Sequence, residues 1–438
     1  MNDLAQLRSR LDGDCLIPGD ADYDTVRRPA DLAHQDVRPK LVIRCRSAAD
    51  VVLGVGYARD TGTPVVPRGG GHCFAGRSST EGVVLDLSGL DAVAVTGGTA
   101  VIGAGARLAQ VYTALHAQDR TIPAGCGATV GIAGLALGGG IGLLGRSHGL
   151  TCDRLTGAQV VFADGSVADC DADREPDLFW ALRGAGGGQF GVVVSLVFDT
   201  VPEPVATRFA LRWRRPPLAD LIAAWQDWAP DAPDAITADL ALTAGDPPEA
   251  VCFGASLLDE RSTRNLLQAF CVAVGAAPDI DVHGGMAFNR LKRSFEDLEE
   301  SNEAGTVLRQ RSAFFADPLR SSTIEELAGG LSDPAAPRRR LNFTAMGGAY
   351  NRVPVAATAF AHRSARFMLQ HVAPTADPWI DRSWERAYGV SSKGVYPNFP
   401  DPLLPDWATA YHGANLARLR AVKRAYDPDR CFTFPQSL

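Results

Sequence analysis

Lysine is almost missing from this chain. Lys40, Lys292, Lys393 and Lys423 are its only four, so 39 of the 43 basic side chains are arginine. That bias is the one expected of a GC-rich bacterial genome. No Cys-x-x-Cys pair occurs, and none of the 9 cysteines has the histidine spacing of a zinc site, so no metal is expected. Scattered and odd in number, the cysteines do not read as a disulfide framework, and a reduced, cytoplasmic chain is the expectation. No apolar run approaches membrane-spanning length, which argues against a membrane partner. Positions 1–18 carry Asp3, Asp12 and Asp14 and no apolar core, so no secretory signal is read there. A net charge of -7 argues against a nucleic-acid partner.

Glycine is abundant, with 45 residues, and it is clustered. The first cluster follows a β-branched run, Thr63 to Val66, and reads Arg68-Gly69-Gly70-Gly71-His72. The second runs from Cys126 through Thr129, Val130, Gly131 and Gly134 to Gly138, Gly139, Gly140 and Gly142, with Asp153 beyond it. The third spans 184–191, includes Gly188 and Gly191, and feeds a strand from Val192. Glycine lets a backbone turn with positive φ and bring its N–H groups against a ligand. From the residues alone, the first cluster is either a phosphate-binding turn or a plain surface turn. The second is either a platform for a flat or diphosphate ligand or a site of tight helix packing. None gives strand, G-x-G-x-x-G, helix and a following acid, which argues against a nicotinamide-dependent dehydrogenase.

At 438 residues two domains are expected. Ser47 is placed to cap a helix through Ala58, a hairpin is expected around Gly97-Gly98, and a short amphipathic helix over Leu108 to Leu115. Composition shifts at Val201-Pro202-Glu203-Pro204. Beyond it, strands at 207–213, 236–243, 251–257, 341–349 and 364–372 alternate with helices at 218–228, 260–274 and 377–390. A breaker falls at Asp333-Pro334-Ala335-Ala336-Pro337. This part reads as an antiparallel sheet with helices on one face, in an α+β protein.

Taken in order, Arg68 to His72, Thr129 to Gly140, Asp177-Leu178-Phe179-Trp180, Gly186 to Gly191 and the terminal Pro435-Gln436-Ser437 resemble the berberine-bridge-enzyme-like flavoproteins of the vanillyl-alcohol-oxidase superfamily. The resemblance covers about Val37 to Gly191 and Thr344 to Leu438. It implies a bipartite PCMH-type FAD-binding domain (1–204 and 391–438) with an inserted substrate domain (205–390) whose sheet roofs the flavin. It implies FAD contacts from the glycines named above and from Arg68, Thr129, Val130, Asp153, Val192 and Asn398. It also implies a covalent bond from His72 to the flavin 8α-methyl group.

Two departures qualify the resemblance. Many relatives carry a second flavin link from a cysteine directly before Pro-Thr-Val-Gly. Here that position is Gly127, and Cys126 stands one residue earlier, so attachment through His72 alone is expected over attachment through both. Relatives often carry Tyr-x-Asn-Tyr-x-Asp near the C-terminus, with the second tyrosine as base. This chain reads Tyr396-Pro397-Asn398-Phe399-Pro400-Asp401, and Phe399 has no ionisable proton. Tyr396, Thr344 and Gln370 are the catalytic candidates, with Tyr350, Tyr388 and His371 behind them. The expected activity is an FAD-dependent oxidase acting on an alcohol, amine or activated C–H bond of a sizeable apolar small molecule such as a secondary metabolite. By the same resemblance, the small Val130 beside the flavin implies O2 as acceptor and H2O2 as product. The alternative is a flavin-dependent cyclisation or rearrangement without net oxidation. A monomer or homodimer is expected.

Overall fold

The computed structural model describes residues 3–295, 306–333 and 338–438. The predicted breaker lies, from Pro334 to Pro337, outside the described residues. The chain begins with a small sheet in the order Asp14–Leu16, Leu41–Arg44, Val83–Asp86, Val65–Arg68. Its last three strands are parallel and buried almost throughout, as the near-continuous Val/Leu/Ile runs require. The connecting helix Ala48–Thr61 starts where Ser47 accepts the Asp50 N–H and ends on left-handed Gly62. Asp50 is fully buried, and its carboxylate accepts N–H groups from Asp12, Gly13 and Arg46, which ties the N-terminal segment to the helix.

A second, antiparallel sheet follows in the order Val93–Thr96, Thr99–Gly103, Val192–Asp199, Leu155–Val161, Val167–Asp171. The expected hairpin at Gly97-Gly98 joins its first two strands. The core of this half also contains Leu419, Val422, Phe432 and Leu438 from the far end of the chain. Lys423 fastens that end. Its buried ammonium donates to the Gln189 and Phe432 carbonyls and pairs with Asp427 at 2.6 Å.

Between these two parts of the chain lies the largest sheet, with strands in the order Asp279–Ala287, Val205–Arg214, Glu249–Ser256, Ile236–Thr243, Arg340–Ala345, Phe367–Pro374, Leu308–Phe315. All its pairings are antiparallel. Helices Leu218–Trp228, Glu260–Val274, Ser321–Leu331 and Trp379–Gly389 cover one face. Period-two alternation explains the burial: Leu341, Phe343 and Ala345 are buried under the helices, while Asn342 and Thr344 between them are half-buried. Sequence reading finds the strands with clear alternation and misses Asp279–Ala287 and Leu308–Phe315, whose polar ends hide the pattern.

One arginine joins the halves. Arg146 is fully buried and donates to the carbonyls of Pro230, Ala232, Ile236 and Met346. Two histidines, His371 and His412, are also enclosed, and burial pushes each imidazole down to about 3. Unfolding returns them to about 6.5, so the unfolded chain binds more protons across that interval. Their contribution to stability is complete above about pH 6.5 and lost as pH falls toward 3. The melting temperature is expected to be level above pH 7 and to fall progressively below about pH 6.5. Scanning calorimetry from pH 8 to pH 4 checks this, and a level profile down to pH 4 would contradict it.

Candidate active site

All three glycine clusters meet. The strand Val65–Arg68 delivers the first loop, and Gly70 runs against Gly131: a Cβ on Gly70 would lie 2.3 Å from the Gly131 nitrogen. Only glycine permits this approach. Residues 128–132 are held by backbone pairing to 106–109, with Leu108 N–H on Val130 O at 2.9 Å and Ile132 N–H on Ala106 O at 3.0 Å. The third loop docks on the second through the Gly184 and Gly186 N–H groups, which donate to Leu137 O at 3.0 and 2.8 Å. It reaches the first where Gly188 faces Pro67, its built Cβ 3.6 Å away.

His72 stands on this junction. Its Nε2 lies 2.9 Å from the hydroxyl of exposed Thr129. Burial, and then the Arg107 guanidinium, hold the imidazole below 6.5, so it is neutral near pH 7. Cys126 does not share that spot. It packs against the apolar cluster of Phe288 and Leu291 from the inserted segment. Gly134 and Gly186 face open space, with no atom within 4 Å of a built Cβ. The enclosed hydroxyls of Ser78 and Ser79, just past the first loop, meet no partner. Open space at two of the glycines and two enclosed hydroxyls without partners fit a polar ligand held by these segments. Ser78 and Ser79 escaped sequence reading, although Gly76-Arg77-Ser78-Ser79 was there to be read.

Several expected contacts are already committed inside the protein. Arg68 donates to the Arg27 carbonyl at 2.7 Å and to Asp86 at 3.2 Å, so it braces the entry strand from below. Asp153 accepts the Leu150 N–H and a two-pronged contact from Arg363 at 2.9 and 2.6 Å. Both carboxylate oxygens of Asp153 are occupied. Tyr396 is buried, and its oxygen receives N–H groups from Gly140 at 3.0 Å, Ile141 at 3.2 Å and Asn398 at 3.0 Å. Burial pushes this phenol up to about 12. It pins the turn at Gly140 and Ile141. Asn398 reinforces the same turn by donating to Leu135 O. Val192 begins a strand of the second sheet, and Gly191 directly precedes it.

Thr344 and Gln370 do share a surface. Both lie on the half-buried face of the large sheet, opposite its helices. Asn342 donates to Gln370 at 3.0 Å, and Gln370 donates to Gln310, forming a carboxamide row across three strands. Asp239, on the strand beside Thr344, accepts the Ala345 N–H at 3.1 Å. His371 faces the helices, at 3.0 Å from Ser383 Oγ, Tyr388 stacks on Trp384, and the Tyr350 hydroxyl is bonded to Gly142. None of these three belongs to the row. Phe399 and Phe74 meet at 5.6 Å between ring centroids.

The chain matches the family model of an FAD binding domain over residues 39–171 and the berberine and berberine-like model over 395–438. It is 30% identical to the uncharacterized FAD-linked oxidoreductase YgaK of Bacillus subtilis (strain 168), over 98% of each chain. The structure superimposes on Physcomitrella patens BBE-like 1 with a TM-score of 0.90 and 27% identity, covering 99% of this chain and 98% of that one. It superimposes on the Acremonium strictum glucooligosaccharide oxidase, described with a 6-S-cysteinyl, 8α-N1-histidyl FAD, with a TM-score of 0.87 and 25% identity, covering 99% and 98%.

The role of Tyr396 is testable. Tyr396→Phe leaves two buried backbone N–H groups unanswered, at a cost of about 2 kcal/mol. Denaturant unfolding should show this loss. Unchanged stability would mean that the hydroxyl does not hold the glycine turn.

Proposed function

Since the chain belongs to the berberine-bridge-enzyme-like family of FAD-linked oxidoreductases, we propose that it is an oxidase with a flavin tethered through His72. When bound, FAD supplies a hydride acceptor for an alcohol, an amine or an activated C–H bond and passes the electrons to O2, giving H2O2. Residues 1–204 and 391–438 form the FAD-binding part and 205–390 the substrate part. The shared core of Leu419, Val422 and Phe432 with the N-terminal sheets supports that division. The loops at 69–72, 129–134, 138–142 and 186–188, with the Ser78 and Ser79 hydroxyls, would hold the cofactor.

The observation that carries the reading is the placing of His72. It is neutral, held by Thr129, and stands where the glycine loops converge. A neutral imidazole offers a lone pair for bond formation. Cys126 faces the Phe288 and Leu291 cluster, which supports a single link, unlike the doubly linked FAD of the glucooligosaccharide oxidase. The sheet face with Asn342, Thr344, Gln370 and Asp239 refines the substrate. It favours a molecule with hydrogen-bonding groups on the side toward the sheet, its remaining surface free to meet Phe74 and Phe399. A second reading, rearrangement without net oxidation, draws on Phe399 and on the commitment of Tyr396 to the glycine turn. Peroxide release with a product two hydrogens lighter would exclude it.

Denaturing precipitation of the purified protein should leave the flavin colour in the pellet, on the tryptic peptide that contains His72. His72→Ala should release the colour to the supernatant, and Cys126→Ala should not. Attachment of FAD to apoprotein should proceed at an even rate above about pH 6.5 and slow only below it, because protonation of His72 sets in below its ordinary value. Flavin on the Cys126 peptide would overturn the single link.

A further inference from the structure

Lys292 is 2% exposed, and its Nζ meets no hydrogen-bond partner. The amine lies 2.8 Å from the centroid of the Tyr112 ring and 4.7 Å from that of Phe288. The Tyr112 hydroxyl donates to the Gly125 carbonyl at 2.7 Å, so the ring that the amine covers is tied to the residue before Cys126. Cys126 is half-buried and packs in one cluster with Phe288 and Leu291, residues of the helix Phe288–Arg293 that carries Lys292. Burial drives the ammonium well below its ordinary value, and a charge on Cys126 is first among the groups that would oppose this. Burial thus favours the neutral amine, the form that keeps its lone pair. Hydride transfer makes no use of this one, and burying it unanswered costs free energy.

We infer that Cys126 and Lys292 form a peroxide-driven sulfenamide cross-link between the second glycine loop and the inserted segment. The Cys126 sulfur attacks a peroxide oxygen. An S–O bond forms, the O–O bond breaks, and the departing hydroxide takes the thiol proton as water. Sulfur loses two electrons and the peroxide gains them. The Lys292 nitrogen then attacks the sulfenic sulfur: an S–N bond forms, the S–O bond breaks, and the hydroxyl leaves as a second water with one amine proton. A thiol reductant reverses the link by attack at sulfur. The oxidant is a peroxide, so the link stands whether peroxide arises at this site or is added.

The test treats the holoprotein with added H2O2 and digests it with trypsin without reductant. The link joins residues 121–146 to residues 291–293, blocks cleavage after Lys292, and gives a mass two hydrogens below the sum of the two peptides. This species should grow with peroxide dose, vanish with dithiothreitol, and be absent from Lys292→Met and Cys126→Ser. The methionine keeps the apolar stem and removes only the unanswered amine, so that variant should fold. Cys126 recovered as sulfinic acid with Lys292 cleaved normally overturns the inference, and so does an unaltered Cys126. A second arm re-exposes chemically reduced, desalted holoprotein to air. A link in both arms supports the cross-link and O2 as acceptor together. A link with added peroxide alone supports the cross-link and counts against the oxidase reading.

Discussion

The contact between the Gly70 and Gly131 backbones is the constraint on which the site depends. A side chain at either position would drive its Cβ into the other's backbone, at 2.3 Å in one direction and 2.4 Å in the other. Because the approach is so close, the loop after Val65–Arg68 and the loop before Ile132–Leu137 become one surface. His72 is thereby carried to Thr129. The third loop adds itself through Leu137, which accepts from both Gly184 and Gly186. Glycine entropy opposes such an arrangement. What offsets it is the bracing below: Arg68 on the carbonyl of Arg27, and residues 106–109 paired along the second loop.

The same economy joins distant parts of the chain. Arg146, the Asp153–Arg363 pair and the Lys423–Asp427 pair are buried charges that link segments far apart in sequence or close the chain's end. Buried ion pairs add little net stability over a well-packed apolar equivalent, but removing one partner is costly. Their effect is therefore chiefly on alignment. Arg146 reaches four carbonyls of the inserted segment from the helix Gly145–His148, just past the second glycine cluster. Through it, the sheet face that bears Thr344 and Gln370 is set relative to the glycine loops. Apolar contacts alone would fix that relation less sharply, because they lack direction.

Local pattern made much of this legible. Ser47 capping, the Gly97-Gly98 hairpin and the alternation in Ile236–Thr243 are short-range signals, and the elements follow them. The choice of face for Phe367–Pro374 was not legible. Either parity carries apolar and polar residues, and only packing on the four helices turns Phe367 and Leu369 inward and Gln370 outward. For Arg68, Asp153 and Tyr396, expected at the cofactor or the reaction centre, the orientation was not legible. Their polar atoms are taken by Arg27, Arg363 and the Gly140 turn, partners that only the tertiary fold supplies.

Cys126 shows how a single position of register changes chemistry. In a tight loop held on both sides by backbone bonds, neighbouring side chains point in different directions. A cysteine at 127 would stand where Gly127 now accepts the Val130 N–H, on the turn that leads to Thr129. At 126 the side chain meets Phe288 and Leu291 instead. The displacement sets the thiol against an apolar cluster on the helix that carries one of the chain's few lysines. Backbone bonds from residues 106–109 hold the loop in this register. The register of the loop, more than the presence of a cysteine, therefore decides which partner that sulfur can meet.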